Sequence, residues 1–159
     1  MWAKVPFVGV PVHVLKNIEE ALELQDGSTV YDLGCGDGRV LFYLAKNNPK
    51  LKYVGIENSP FPFVIAKFLS WWHKRVNNID VKIIKEDFFK INIGDATHIF
   101  TYLYPNIMDD LLPKFDRELS KGTRLVSASF HFTSNRAIGE IDLKRGKYQL
   151  AKKLYIYQF

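Results

Sequence analysis

Three glycines and three carboxylates are the residues of this chain best suited to holding a small molecule. Asp32-Leu-Gly34-Cys35-Gly36-Asp-Gly38 runs directly out of the apolar stretch Thr29-Val-Tyr-Asp-Leu33, and Glu57 and Asp87-Phe88 follow later. Glycine lets a backbone bend tightly and approach a ligand with no Cβ in the way. A helix starting behind such a loop adds unpaired N–H donors and a partial positive charge. Carboxylates accept hydrogen bonds from hydroxyls and amines. The order strand then glycine loop, strand then Glu57, strand then Glu86-Asp87-Phe88-Phe89 is far more specific than any one of these pieces.

Several chemistries are excluded by spacing. The dinucleotide fingerprint needs glycine at relative positions one, three and six; Gly34 and Gly36 supply two, but Arg39 holds the sixth and Gly38 arrives one residue early. A phosphate P-loop fails because no Gly-Lys-Ser/Thr follows. His13, His73, His98 and His131 have no ligand spacing, with His98 and His131 expected inside strands, and Cys35 is the only cysteine. No metal is therefore expected, nor an internal disulfide. Inside the loop Cys35 serves as a small side chain. Trp71 and Trp72 are read as packing residues, in the core or against a partner.

The elements that position these residues follow from periodicity. Pro11 to Leu24 has near-helical apolar spacing and stops at Asp26-Gly27. Thr29–Leu33, Lys52 to Ile56, Val81 to Ile84, His98 to Leu103 and Thr123 to Phe132 read as strands. Val40 to Lys46, Ser59-Pro60 to Val76 and Asn106 to Leu119 read as helices. Strands alternating with helices imply βαβ units and a largely parallel sheet. Gly139 to Lys144 and Tyr148 to Phe159 instead flank Arg145-Gly146-Lys147, and a tight hairpin joins only antiparallel strands. The expectation is an α/β, doubly wound, mostly parallel seven-stranded sheet with the last strand antiparallel.

Composition sets the frame. The chain has 159 residues, 47% hydrophobic and 14% aromatic, which excludes a disordered chain and fits one domain over residues 1–159. No apolar run reaches the roughly 18 residues of a membrane span. Without a secretory signal pattern, and with a lone cysteine, a cytoplasmic protein is expected. The net charge is +5, yet Lys144, Arg145, Lys147, Lys152 and Lys153 account for all of it. Global charge therefore does not point to nucleic acid, although a local patch allows it.

The glycine spacing and the preceding Asp32 resemble motif I of the class I S-adenosylmethionine-dependent methyltransferases. That resemblance implies S-adenosylmethionine as cofactor, with Asp32, Gly34, Cys35, Gly36 and Gly38 forming its loop. It also implies that Glu57 accepts from the ribose hydroxyls, Asp87 from the adenine amine, and Phe88 covers the purine. The likeness extends to Pro6-Phe-Val-Gly-Val-Pro11, Tyr102-Leu-Tyr-Pro105, Leu112-Pro-Lys-Phe115 and Gly122-Thr-Arg-Leu-Val-Ser127. Together these resemble a small family of protein lysine methyltransferases, archaeal and mitochondrial. Phe7, Gly9 and Val10 depart from its Pro-Tyr-Val-Pro-Thr segment, and Ser129, Phe130 and Asn135 from its later acidic residue and tryptophan.

Because a sulfonium methyl is already activated, the enzyme chiefly aligns a nucleophile and excludes water. Tyr102 and Tyr104, ending the fourth strand, are the candidates for an acceptor channel. Three readings stay open at this point: methylation of a protein lysine, methylation of RNA, or a binding module without turnover. With the sixth strand parallel to the first five, the basic stretch from Lys144 would fall on the active-site rim. Oligomeric state is not legible.

Overall fold

The computed structural model describes residues 9–134, 136–143 and 151–159. The first of these enter through a 3-10 turn, Val12–Val14, and continue as helix α1, Leu15–Leu22. This helix begins later than its apolar spacing predicts, because Val12 points to solvent while Leu15, Ile18, Ala21 and Leu22 form the buried stripe. There follow β1 (Thr29–Leu33), α2 (Arg39–Asn47), β2 (Lys52–Ile56), α3 (Pro60–Asn77) and β3 (Lys82–Ile84). The remaining elements are β4 (His98–Thr101), α4 (Pro105–Glu118), β5 (Arg124–Ala128), β6 (Gly139–Asp142) and β7 (Lys153–Gln158).

The seven strands form one sheet in the order β3-β2-β1-β4-β5-β7-β6. β1 is an interior strand, buried along its whole length, and β2, β3, β4 and β5 run parallel to it. β7 is antiparallel to both β5 and β6, so it alone is reversed. The expected architecture is therefore the observed one, with β6 running in the common direction. Its end and the start of β7 lie at the carboxyl edge, where Asp142 faces Lys153. Residues 144–150, which carry most of the basic stretch, lie outside the described residues.

Alternating side chains of β1 serve two cores. Val30 packs with the buried sides of α1, α2 and α3, whereas Tyr31 and Leu33 pack with Ile107, Met108, Leu111 and Phe115 of α4. Alternation across a strand produces such a split, and helices on both faces are what a parallel sheet requires.

Several strand boundaries differ from those the apolar runs suggest. β4 stops at Thr101, because Pro105 takes the first position of α4 and Tyr104 is already its extended cap. β5 stops at Ala128, because Ser129 adopts φ 65°, a left-handed conformation that ends a strand. His131 therefore lies beyond β5, exposed, instead of inside a strand. The reversed strand begins at Lys153, after Ala151 and Lys152, and residues 148–150 of the expected strand lie outside the described residues. Trp71 and Trp72 are 54% and 48% exposed, so they are not core residues.

Candidate functional site

Parallel strands bring their carboxyl ends to one edge, and the chain order reverses between β1 and β4. In open α/β sheets ligands bind in the crevice at that reversal. Leu33 aligns with Ile56 on one side and Thr101 on the other, so the segments that follow β1, β2 and β4 adjoin. Gly34 to Gly38 leave β1, Glu57 follows β2, Tyr102 to Tyr104 follow β4, and Asp87 lies three residues beyond β3.

The loop owes its shape to glycine at defined points. Gly34, Gly36 and Gly38 have φ of 76°, 58° and 80°, a region that side chains with a Cβ rarely enter. A Cβ on Gly38 would in addition lie 2.8 Å from the Phe42 ring. The Gly34 and Cys35 amides both donate to the Ile56 carbonyl, at 2.8 and 3.0 Å, which ties the loop to the end of β2. Cys35 is buried against Gly55, where a Cβ would come within 2.7 Å of its Sγ. Burial pushes its thiol pKa up, so it stays a neutral packing group.

Glu57 is the hinge of this arrangement. Its Oε2 accepts from the Gly36 amide at 2.9 Å and its Oε1 from the Ser59 amide at 2.7 Å. A carboxylate has about four acceptor positions, so each oxygen retains one for a further donor. The side chain thus braces the loop and keeps acceptor capacity to spare.

Asp32 is different. It is 3% exposed, and among the described residues no hydrogen-bond donor reaches its carboxyl group. Burial, with the charges of Glu57 and Asp37 adding, pushes its pKa well above the usual carboxylate range. Asp37 is itself paired with Arg39, whose Nη2 lies 2.6 Å from Oδ2 and whose Nε lies 3.0 Å from both oxygens. Arg39 Nη1 also donates to the Val10 carbonyl at 3.1 Å. A Cβ on Gly9 would meet this guanidinium at 2.8 Å. The entering segment thus lies directly on the end of the Arg39 side chain.

Asp87 turns its Oδ1 to the Phe89 amide at 2.9 Å, while the Lys90 amide donates to its carbonyl. It shapes the turn that carries Phe88. That ring approaches Gly34, whose Cβ, if present, would be 3.9 Å from Phe88 Cε1 and 3.2 Å from Leu103. Phe88 and Phe89 are tilted against each other at 5.1 Å.

Tyr102 and Tyr104 meet a residue whose part the sequence did not disclose. Phe130 lies 6.1 Å from the Tyr102 ring, stacked, and 5.4 Å from the Tyr104 ring, tilted. Ser127 Oγ donates to the Phe130 carbonyl at 2.7 Å and fixes the turn after β5. The Tyr102 hydroxyl bonds to the Ser129 side chain, and burial raises its pKa in spite of that bond. Since β5 neighbours β4, residues just past its end were findable by the strand-end rule used for Glu57. Among the described residues no group of three or more metal-ligating side chains occurs.

Comparison with known proteins agrees with this geometry. A protein-lysine N-methyltransferase of Saccharolobus islandicus is 32% identical over 96% of this chain and 93% of its own length. The adenine nucleotide translocase lysine N-methyltransferase of Mus musculus is 30% identical over 80% of the chain, which spans only 54% of that relative. A Salinibacter ruber structure described as an RNA methyltransferase, in complex with S-adenosyl-L-homocysteine, superposes with a TM-score of 0.83. It is 27% identical and covers 95% of this chain, with 93% of its own length matched.

The cofactor of such enzymes is S-adenosylmethionine, a cation with ribose hydroxyls, and the crevice fits it. A buried carboxylate without a donor suits a positive ligand, and Glu57 has acceptor positions to spare. The ANTKMT methyltransferase domain matches residues 32–138, from the end of β1 to the threshold of β6, and the chain belongs to that family of S-adenosylmethionine-dependent methyltransferases.

Proposed function

We propose that this chain, as one domain over residues 1–159, transfers a methyl group from S-adenosylmethionine to a side-chain amine of a protein, a lysine. The observation that carries this reading is the aromatic group Tyr102, Tyr104 and Phe130 at the carboxyl edge of β4 and β5. Flat rings flank an aliphatic lysine stem without competing for its nitrogen. The full-length likeness to the Saccharolobus islandicus enzyme supports the same acceptor.

When bound, S-adenosylmethionine supplies a methyl on a positively charged sulfur, a leaving group that needs no further activation. In this reading Glu57 accepts from the ribose hydroxyls, Asp87 from the adenine amine, and Phe88 covers the purine. Gly34, Cys35, Gly36 and Gly38 bring the backbone close to the amino-acid part, and Asp32 balances its positive charge. Tyr102 and Tyr104 hold the acceptor in line and keep water away. A lysine with pKa about 10.4 in water must lose its proton before it attacks, and an apolar channel favours the neutral amine. Alignment of this kind is worth up to about 7–11 kcal/mol in favourable models.

RNA is the second reading, favoured by the description of the Salinibacter ruber structure. Labelled S-adenosylmethionine, incubated with the protein and with separate protein and RNA fractions of a cell extract, distinguishes the two. Label in the protein fraction alone is expected. Label in RNA and not in protein would replace the lysine reading.

A further inference from the structure

The outward side of α3 is apolar along its whole length. Phe61, Val64, Phe68, Trp71, Trp72 and Val76 are between 48% and 76% exposed, while Pro62 and Ala66 of the opposite side are buried. Single exposed apolar residues need no explanation, but a continuous stripe of this size marks a binding face. The 18-residue helix contains Lys67, Lys74 and Arg75 and not one acid. The Arg75 guanidinium lies 5.6 Å from the Trp71 ring, and Lys85, just past β3, lies 5.8 Å from Phe63. Lys82 of edge strand β3 adds a further exposed cation; of the neighbouring acids, Asp80 is paired to Lys74 at 3.0 Å and Glu86 is exposed beside Lys85.

We infer that α3 is a membrane-surface helix, lying flat in the headgroup region of a bilayer rich in anionic lipid. A helix with aromatic residues on one side and only cations beside them has the composition of such interfacial elements. Tryptophan suits that depth, with an apolar ring and one polar N–H. A second copy of the chain fits less well. Two such faces in contact would bring Lys67, Lys74 and Arg75 near their own counterparts, and the helix offers no acid in answer. α3 starts directly after Glu57-Asn58-Ser59, so a molecule resting on it holds the carboxyl edge beside the membrane surface and leaves the crevice open. The inference does not rest on which acceptor is methylated.

Sedimentation with vesicles tests it directly. The protein is mixed with vesicles of phosphatidylcholine alone and with vesicles containing about one third phosphatidylglycerol. Binding to the second only, with a blue shift of tryptophan emission, is expected. Phe68→Ser with Trp72→Ser removes two exposed rings and should abolish binding at unchanged Tm. Arg75→Glu should weaken binding about 25-fold, from about fivefold per unit charge near an anionic surface, and the difference should shrink in high salt. Three results would overturn the inference: no association with either vesicle, equal binding by the serine variant, or a doubled mass without lipid that this variant abolishes.

Discussion

Asp32→Asn should make the ligand-free protein more stable and the methyl donor bind more weakly. The substitution keeps the shape of the side chain and removes its charge. That charge is buried, lacks a donor among the described residues, and lies under the influence of Glu57 and Asp37. An uncompensated buried carboxylate costs several kcal/mol, part of which the folded protein avoids by binding a proton. Removing it should therefore raise stability by about 1–3 kcal/mol at neutral pH, or roughly 2–10 °C in Tm for a chain of this size.

The pH dependence has a definite sign. Asp32 has a raised folded-state pKa, so above the usual carboxylate pKa the folded form holds a proton that the unfolded form has released. Wild-type stability accordingly falls as pH rises through that window, and the asparagine variant loses this slope. Binding should change the other way. Loss of a buried counter-charge should weaken S-adenosylmethionine by about 10–100-fold, or about 1.4–2.8 kcal/mol. Thermal unfolding across pH and isothermal titration measure the two halves independently. A variant that is less stable, or that binds S-adenosylmethionine as tightly as the wild type, would refute the reasoning.

Three further outcomes are expected. Glu57→Ala strands the Gly36 and Ser59 amides, each a loss of about 1–3 kcal/mol, and should remove most of the thermal shift given by S-adenosylhomocysteine; an unchanged shift would rule out the ribose role. Phe130→Ala should raise KM for a protein acceptor with little change in S-adenosylmethionine affinity, whereas Tyr102→Phe, which removes the bond to Ser129 and keeps the ring, should have the smaller effect; steady-state kinetics varying each substrate separate the two. Lys114→Met leaves Glu118 with only Arg117 and the Ile93 amide in place of the ammonium now 2.6 Å away, and should cost about 1–3 kcal/mol by denaturant unfolding. Glu118 is pushed up by its own burial, but the bonds from Lys114, Arg117 and the Ile93 amide outweigh this and hold its pKa low. The wild type should lose that contribution as pH falls through the lowered value.

What the sequence disclosed and what it hid have different physical origins. β1 and β2 were legible to the residue, because each is a short β-rich run bounded by turn residues or a glycine loop. The reversed last strand followed from the shortness of the hairpin connection alone. By contrast, the position of Phe130 depends on β5 ending at Ser129, a conformation that no periodicity announces. The mutual influence of Asp32, Asp37 and Glu57 depends on which strands are neighbours, and so does the grip of Arg39 on Val10. Trp71 and Trp72 have helical spacing with Phe68 and Leu69, but spacing does not tell an inward stripe from an outward one. On α3 both sides of the helix are apolar, so its direction was settled only by the packing of Pro62 and Ala66.

The central claim is methyl transfer to lysine. It is tested most directly by mass spectrometry of peptides from an acceptor protein after incubation with isotopically labelled S-adenosylmethionine. Labelled methyl groups on lysine ε-nitrogens are predicted, absent when Glu57→Ala replaces the wild type. Label confined to RNA, or to side chains other than lysine, would contradict it.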